Sequence, residues 1–192
     1  MTWLTEMLQR LRDDAREWCV GRYWIWRAPI LLYVLYAGFR MTVEPRNGTW
    51  FSGITFGIHE LGHVVFSFLG EFIGVAGGSL AQLLAPAAAA LVLLRQRDYF
   101  GLTVAAAWLS FSLSELAIYI NDARAQQLDL VGLTPDPLHD WHYLLSKMGL
   151  LKFDGTIALA TRGLGFVILV GSVALGLWLL VLMARDSRSA EN

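Results

Sequence analysis

Five long apolar segments limit what this chain can fold into. They cover residues 23–39, 50–69, 72–94, 99–120 and 163–184, and each approaches the roughly 20 residues that a helix needs to cross a bilayer. Hydrophobic residues make up 56% of the chain and charged residues only 16%, which is too apolar for an ordinary soluble domain. The sequence therefore predicts an all-α, polytopic membrane protein with about five transmembrane helices.

The remaining parts of the chain predict two shorter helices. Residues 121–162 form the longest polar stretch, and the apolar piece at 141–151 within it is too short to span, which predicts a re-entrant or interfacial helix. Residues 1–22 predict an amphipathic helix that lies either on the membrane surface or on the protein body. Its apolar positions recur at helical spacing: Trp3, Leu4, Met7, Leu8, Leu11, Ala15 and Trp18.

Residues 23–192 are expected to form a single integral membrane domain, as in a multi-pass protein of a bacterial cell membrane. The net charge of −1 gives no electrostatic reason to expect binding to nucleic acid. Cys19 is the one cysteine, so an internal disulfide and a site built from several thiolates are excluded. Any metal ion must be held by histidine or carboxylate side chains.

An H-E-x-x-H motif lies inside the second apolar segment, at residues 59–63. On a helix, His59 and His63 are one turn apart on one face, so both imidazoles can reach one metal ion. Glu60 lies beside them and is placed to take a proton from water at that metal. Ionisable residues within a membrane are costly and usually functional. The motif therefore predicts hydrolytic zinc chemistry at membrane depth.

The other two histidines, His139 and His142, flank Asp140 in the polar stretch. A catalytic zinc site uses three protein ligands and leaves one position for water, and the third ligand could be His139, Asp140 or His142. By itself this cluster is typical of a polar turn that caps a helix through Asp140. Asp122 is a further candidate, either as a ligand or as a carboxylate that orients a ligand histidine. An ion pair of Asp122 with Arg124 is the simpler interpretation.

With these motifs, residues 50–150 resemble the site-2 protease group of intramembrane zinc metalloproteases. Residues 59–63 (H-E-L-G-H) resemble the first family signature, and residues 137–141 (P-L-H-D-W) are similar to its later Pro-Leu-Asp-Gly segment, with one inserted residue. The resemblance implies Asp140 as the third zinc ligand, with His139 as its rival. Residues 77–82 (G-G-S-L-A-Q) are similar to a family segment whose Asn orients substrate, which implies that role for Gln82.

The resulting hypothesis is a membrane-embedded zinc endopeptidase. Zn²⁺ is held by His59, His63 and Asp140, Glu60 acts as the general base, and Gln82 or a histidine of the second cluster stabilises the transition state. The expected substrate is a membrane protein or peptide, locally unwound because a helix hides its peptide bonds in hydrogen bonds.

Two other functions compete with the peptidase. One is a catalytically silent, metal-binding membrane subunit or assembly factor, although a purely structural zinc site has no need for Glu60. The other is a metal or proton transporter, which calls for polar residues spread along several spans.

Overall fold

The computed structural model describes residues 3–44, 46, 48–130 and 138–191. This part of the chain is helical and contains no strand. Residues 135–137, which include the proline of the P-L-H-D-W segment, lie outside the described residues. The helices are α1 (Trp3–Cys19), α2 (Ala28–Val43), α3 (Ser52–Phe66), α4 (Glu71–Arg95), α5 (Tyr99–Asn121), α6 (Asp140–Lys147) and α7 (Asp154–Glu191), with short 3₁₀ turns at Ser67–Leu69 and Leu151–Phe153.

Three helical segments of the described chain are long and apolar enough to cross a membrane. They are Glu71–Arg95, Tyr99–Asn121 and Leu151–Ser187, and they correspond to the third, fourth and fifth predicted segments. Helices α2 and α3 have 16 and 15 residues, or about 24 and 22 Å at 1.5 Å per residue, against a hydrocarbon core of about 30 Å. The structure therefore supports three of the five predicted spans by length and composition.

Two helices begin well away from the residue expected from the apolar pattern. Helix α2 begins at Ala28 rather than at residue 23, because Pro29 lies in its first turn and suits that position. Helix α7 begins at Asp154 rather than at 163. Asp154 places a negative charge in the first turn, which the helix dipole favours, and Ala158 is already buried. The predicted polar stretch thus ends in helix rather than in loop.

The amphipathic helix expected at the N-terminus is α1, and its second half packs on the body. Ala15 and Cys19 are buried, and the Cys19 thiol contacts the carbonyl of Leu179 on α7. Burial raises the pKa of this thiol to about 11, so it stays uncharged and is a poor metal ligand. Trp3 and Leu8 in the first half remain exposed, so packing on the protein body is confirmed for the second half of the helix only.

Helix α5 lies at the centre of the bundle and packs closely against α7. The Ser110 hydroxyl donates to the carbonyl of Gly165 at 2.7 Å, and the Ser172 hydroxyl donates to the carbonyl of Thr103 at 2.8 Å. Small residues at such crossings let two backbones approach, and each serine hydroxyl donates a hydrogen bond to a backbone carbonyl of the facing helix. The pairing is antiparallel, and it gives a fixed support on which the shorter helices α2, α3 and α6 are arranged.

Helices α3 and α4 are antiparallel and meet at two glycines. A Cβ added at Gly62 would lie 2.3 Å from the carbonyl oxygen of Gly77, and one added at Gly77 would lie 2.6 Å from that of Gly62. No side chain fits at either position, because such distances are far shorter than van der Waals contact. This close approach presses the histidine face of α3 against α4.

Replacing Gly62 with Ala should destabilise the protein by about 1–3 kcal/mol, the usual cost of overpacking a tight contact. The matched control is Gly57→Ala on the same helix, where an added Cβ meets nothing within 4 Å. That change should be neutral or stabilising by up to about 1 kcal/mol, because alanine favours helix. Thermal unfolding in detergent measures both, and equal stability of the two variants would contradict the packing described.

Candidate metal centre

His59 and His63 of the H-E-x-x-H motif share one face of α3, as the helical spacing predicts. The ring centroids of His59 and His63 lie 4.8 Å apart with the rings nearly perpendicular, at 79°. One ligand atom from each of His59, Glu60 and His63 falls within 4.8 Å of the others, and all three side chains are half-buried. These three residues therefore form a cluster that could hold a metal ion.

Asp140, in the first turn of α6, brings a fourth polar group to this cluster. Its Oδ2 lies 3.1 Å from Nε2 of His59 and 3.3 Å from Nε2 of His63, and its side chain is only 8% exposed. Ligands about 2.0–2.1 Å from a tetrahedral zinc ion are about 3.3–3.4 Å from one another. The two distances from Asp140 match the edges of such a tetrahedron, so Asp140, like Glu60, lies where it could complete a ligand set with the two histidines.

The hydrogen bonds of Gln82 fix which nitrogen of His59 carries the proton. The amide nitrogen of Gln82 donates to the carbonyl of Ser112 at 3.1 Å, which leaves its Oε1 as an acceptor 3.0 Å from Nδ1 of His59. Nδ1 must then be the donor, and Nε2 faces Asp140 with a lone pair. Both polar atoms of Gln82 are engaged, so its geometry suits orientation of His59 rather than the substrate contact expected from sequence.

His63 is oriented in the same way by the backbone of α4. Its Nδ1 donates to the carbonyl of Gly74 at 3.0 Å, so its Nε2 also carries a lone pair. The two Nε2 atoms and the Asp140 carboxylate are then three acceptors converging without a donor among them. Such an arrangement is repulsive unless a cation, either a metal ion or an added proton, lies between them.

Gly78 keeps the space in front of both imidazoles open. A Cβ at this position would lie 2.5 Å from Nε2 of His63 and 2.6 Å from Nε2 of His59. Any side chain on α4 at this point would therefore enter the volume between the two ring nitrogens. The donor set and this space together fit a metal ion with a further, exchangeable ligand.

Replacing Gly78 with Ala should lower zinc affinity at least about 10-fold, the scale on which shifts of the residues around a metal site act. The matched control is Gly163→Ala in α7, where an added Cβ meets nothing within 4 Å and affinity should not change. Competition with a chromophoric chelator measures both constants. Wild-type affinity in the Gly78 variant would show that the open space is not the metal position.

The charge states of Asp140 and His139 follow from the surroundings of each side chain. Burial alone would raise the pKa of the Asp140 carboxyl, but the neighbouring imidazoles of His59 and His63, when either carries an added proton, lower that pKa below its usual value. Burial lowers the pKa of His139 despite the neighbouring Asp122 carboxylate. Near neutral pH the cluster therefore holds an ionised Asp140 and an uncharged His139.

His139 and Asp122, the rival third ligands, are both engaged away from the metal cluster. Nδ1 of His139 accepts the backbone N–H of His142 at 3.2 Å, so its Nε2 carries the proton and donates to Asp122 at 3.3 Å. His139 rather than Asp140 thus caps α6. The predicted ion pair of Asp122 with Arg124 is not formed, because the guanidinium of Arg124 binds Asp154 at 2.7 Å.

His142 is likewise turned away from the cluster. Its Nδ1 lies 2.8 Å from the carbonyl oxygen of Ala123 and 2.8 Å from the side-chain nitrogen of Gln126. Of the candidates for a third ligand, Asp140 is thus the one that the fold brings to both His59 and His63.

Sequence reasoning missed Tyr119, which lies between the two clusters. Its hydroxyl accepts the backbone N–H of Asp140 at 2.9 Å, and its ring centroid lies 4.5 Å from that of His139 and 6.2 Å from that of His59. An aromatic residue in an apolar helix is ordinarily assigned to packing, and no feature of the sequence distinguishes Tyr119 from such a residue.

The cluster lies near one end of the bundle. Gly78 is seven residues from the start of α4 at Glu71, or about 10 Å along the helix axis, and Tyr119 is two residues from the end of α5. These two ends are on the same side, because α4 and α5 are consecutive antiparallel helices. The polar residues that follow α5 begin at this side of the bundle.

Compared with family models, with curated proteins and with solved structures, the chain shows no match.

Proposed function

We propose that the protein is a membrane-embedded zinc metallopeptidase of the site-2 protease type. The observation that carries the proposal is the position of Oδ2 of Asp140, 3.1 Å from Nε2 of His59 and 3.3 Å from Nε2 of His63, with Glu60 on the same helix as both histidines. The site-2 assignment rests on the residues of the two motifs, and the geometry of the cluster supports it.

The donor set favours zinc. Two imidazoles and one carboxylate are borderline ligands that suit a tetrahedral divalent ion and leave a fourth position for solvent or substrate. His59, His63 and Asp140 would hold the ion, which when bound would supply Lewis acidity to polarise a carbonyl oxygen and lower the pKa of water toward neutrality. Gln82 and the carbonyl of Gly74 hold the imidazoles in the tautomer that zinc requires.

Glu60 is the group that moves the proton. It belongs to the same turn as His59 and has no place in the three-member ligand set. Its carboxylate takes a proton from the attacking water and returns it to the leaving amine, so one residue serves as base and then as acid. A silent metal-binding subunit, the alternative function, would have no use for a carboxylate at this position.

The position of the cluster fits a substrate within the membrane. We place α4, α5 and α7 across the bilayer, with α2 and α3 entering it without a complete crossing of their own. The cluster then lies about 10 Å from one end of α4, where a transmembrane segment can unwind near the polar surface. Unwinding is required because a helix protects its peptide bonds.

Hydrolysis of labelled casein and of hydrophobic peptides containing glycine or asparagine tests the proposal in detergent and in liposomes. We expect cleavage that a chelator abolishes and that stoichiometric zinc restores. Zinc bound by the protein without cleavage of any of these peptides would instead favour the silent metal-binding subunit.

A further inference from the structure

Asp140 reaches the metal cluster on a helix that cannot hold its own position. Helix α6 has only eight residues, which is too short to be stable in isolation. The ligand atom of Asp140 must nevertheless stay within a fraction of an ångström of its place, because metal affinity depends on that geometry. Contacts with the larger helices must therefore fix the start of α6.

Tyr119 makes the first of these contacts. Its hydroxyl accepts the backbone N–H of Asp140 itself at 2.9 Å, so α5 holds the main chain of the ligand residue directly. The ring of Tyr119 packs at 4.5 Å on the imidazole of His139. One side chain thus contacts both residues at the start of α6.

A second contact runs through the Asp122–His139 pair. His139 is 3% exposed; its Nδ1 accepts the N–H of His142 and its Nε2 donates to Asp122. Asp122 in turn accepts the backbone N–H groups of Gln127 and Leu128, each at 3.0 Å. The end of α5, the turn after it and the first turn of α6 are therefore tied through one carboxylate.

A third contact joins α6 to α4. The indole N–H of Trp141 donates to the Ser79 hydroxyl at 3.1 Å, one residue from Gly78. Helices α4 and α5 also orient His59, through Gln82 and the carbonyl of Ser112. The same two helices therefore set the positions of ligands that are 81 residues apart in sequence.

We propose that Tyr119 and the Asp122–His139 pair are positioning residues that hold Asp140 as the third metal ligand. The inference rests on the proposed metal site and adds residues outside both motifs. Their loss should displace Asp140 without removing any ligand atom. The expected effect is a fall in zinc affinity of about 10- to 100-fold, as for other residues that orient metal ligands.

The test compares Tyr119→Phe and Asp122→Asn with Tyr33→Phe. Tyr33 is a matched control because its hydroxyl also accepts a backbone N–H, that of Trp50 at 2.6 Å, away from the cluster. Zinc affinity is measured by chelator competition on the whole protein in detergent. The visible spectrum of the Co²⁺-loaded protein reports the coordination of the ion, which a merely structural change elsewhere would leave as in wild type.

We expect Tyr119→Phe and Asp122→Asn to bind zinc about 10- to 100-fold more weakly and to alter the cobalt spectrum, with Tyr33→Phe unchanged. Tyr119→Phe removes a single hydroxyl, so it remains informative if Asp122→Asn does not fold. Wild-type affinity and spectrum in Tyr119→Phe would overturn the inference while leaving the metal site intact. Failure of the wild-type protein to bind zinc would overturn the proposed function and the inference together.

Discussion

Replacing Glu60 with Gln should reduce peptide hydrolysis by about 10²- to 10⁴-fold, the usual contribution of a general acid–base residue. The amide keeps the size and hydrogen-bonding capacity of the side chain but cannot accept the proton from water. Because the ligand set of His59, His63 and Asp140 is untouched, the variant should still bind zinc as wild type does. Initial rates of casein and peptide cleavage, with zinc affinity measured in parallel, check both parts.

Glu115→Gln is the matched control for this substitution. Glu115 is also a half-buried carboxylate within the bundle, but it accepts a hydrogen bond from the Ser52 hydroxyl and does not belong to the metal cluster. Its variant should keep most of the activity. A Glu60→Gln protein that cleaves at the wild-type rate would rule out the general-base role. One that loses zinc would instead make Glu60 a ligand.

Replacing Asp140 with Ala should lower zinc affinity by more than about 100-fold, beyond the effect expected of residues that only orient ligands. The change removes one of three protein ligands and leaves the lone pairs of His59 and His63 facing an open space. The same loss is expected for His59→Ala. Metal content after dialysis against a weak chelator distinguishes these variants from wild type.

His142→Ala provides the comparison on the same helix. His142 follows Asp140 by two residues but binds the carbonyl of Ala123, so its variant should keep the metal. Zinc retained in Asp140→Ala and lost in His142→Ala would show that α6 presents a different ligand from the one described. Zinc retained in both variants would move the third ligand away from α6.

The pairing of His59 with His63 is predictable from sequence because it is local. Both lie on one helix, and a separation of four residues fixes their common face whatever the rest of the chain does. Three of the five apolar segments are predictable as spans for a similar reason, since composition and length determine how a helix partitions into a bilayer. The ends of these helices are less predictable. Pro29 lies in the first turn of α2, which begins later than the apolar segment does, and α7 begins at Asp154, before its apolar segment.

The approach of Asp140 to the two histidines is not local and could not be derived from spacing. Whether residue 139 or 140 faces the metal depends on where α6 begins, and that is decided by the capping of its first turn through His139. The simpler prediction for Asp122 was an ion pair with Arg124, but Arg124 binds Asp154 and Asp122 accepts from His139 instead.

The residues that support the site are the least predictable. Tyr119 lies in an apolar helix, and its contact with the N–H of Asp140 depends on how α5 and α6 pack. From the sequence, Gly78 is indistinguishable from the other small residues that allow helices to approach. Its role in keeping space before both imidazoles is visible only when α3 and α4 are placed together.

Metal content of the detergent-purified protein, after supply of zinc and removal of excess ion, tests the central claim most directly. In the proposed tautomers three acceptor atoms face one another without a donor, and the two distances from Asp140 to the histidine nitrogens fit the edges of a zinc tetrahedron. The account predicts one equivalent of zinc in the wild-type protein and almost none in His59→Ala. A wild-type protein that holds no metal under these conditions would contradict the account. It would indicate instead that an added proton on an imidazole balances the Asp140 carboxylate.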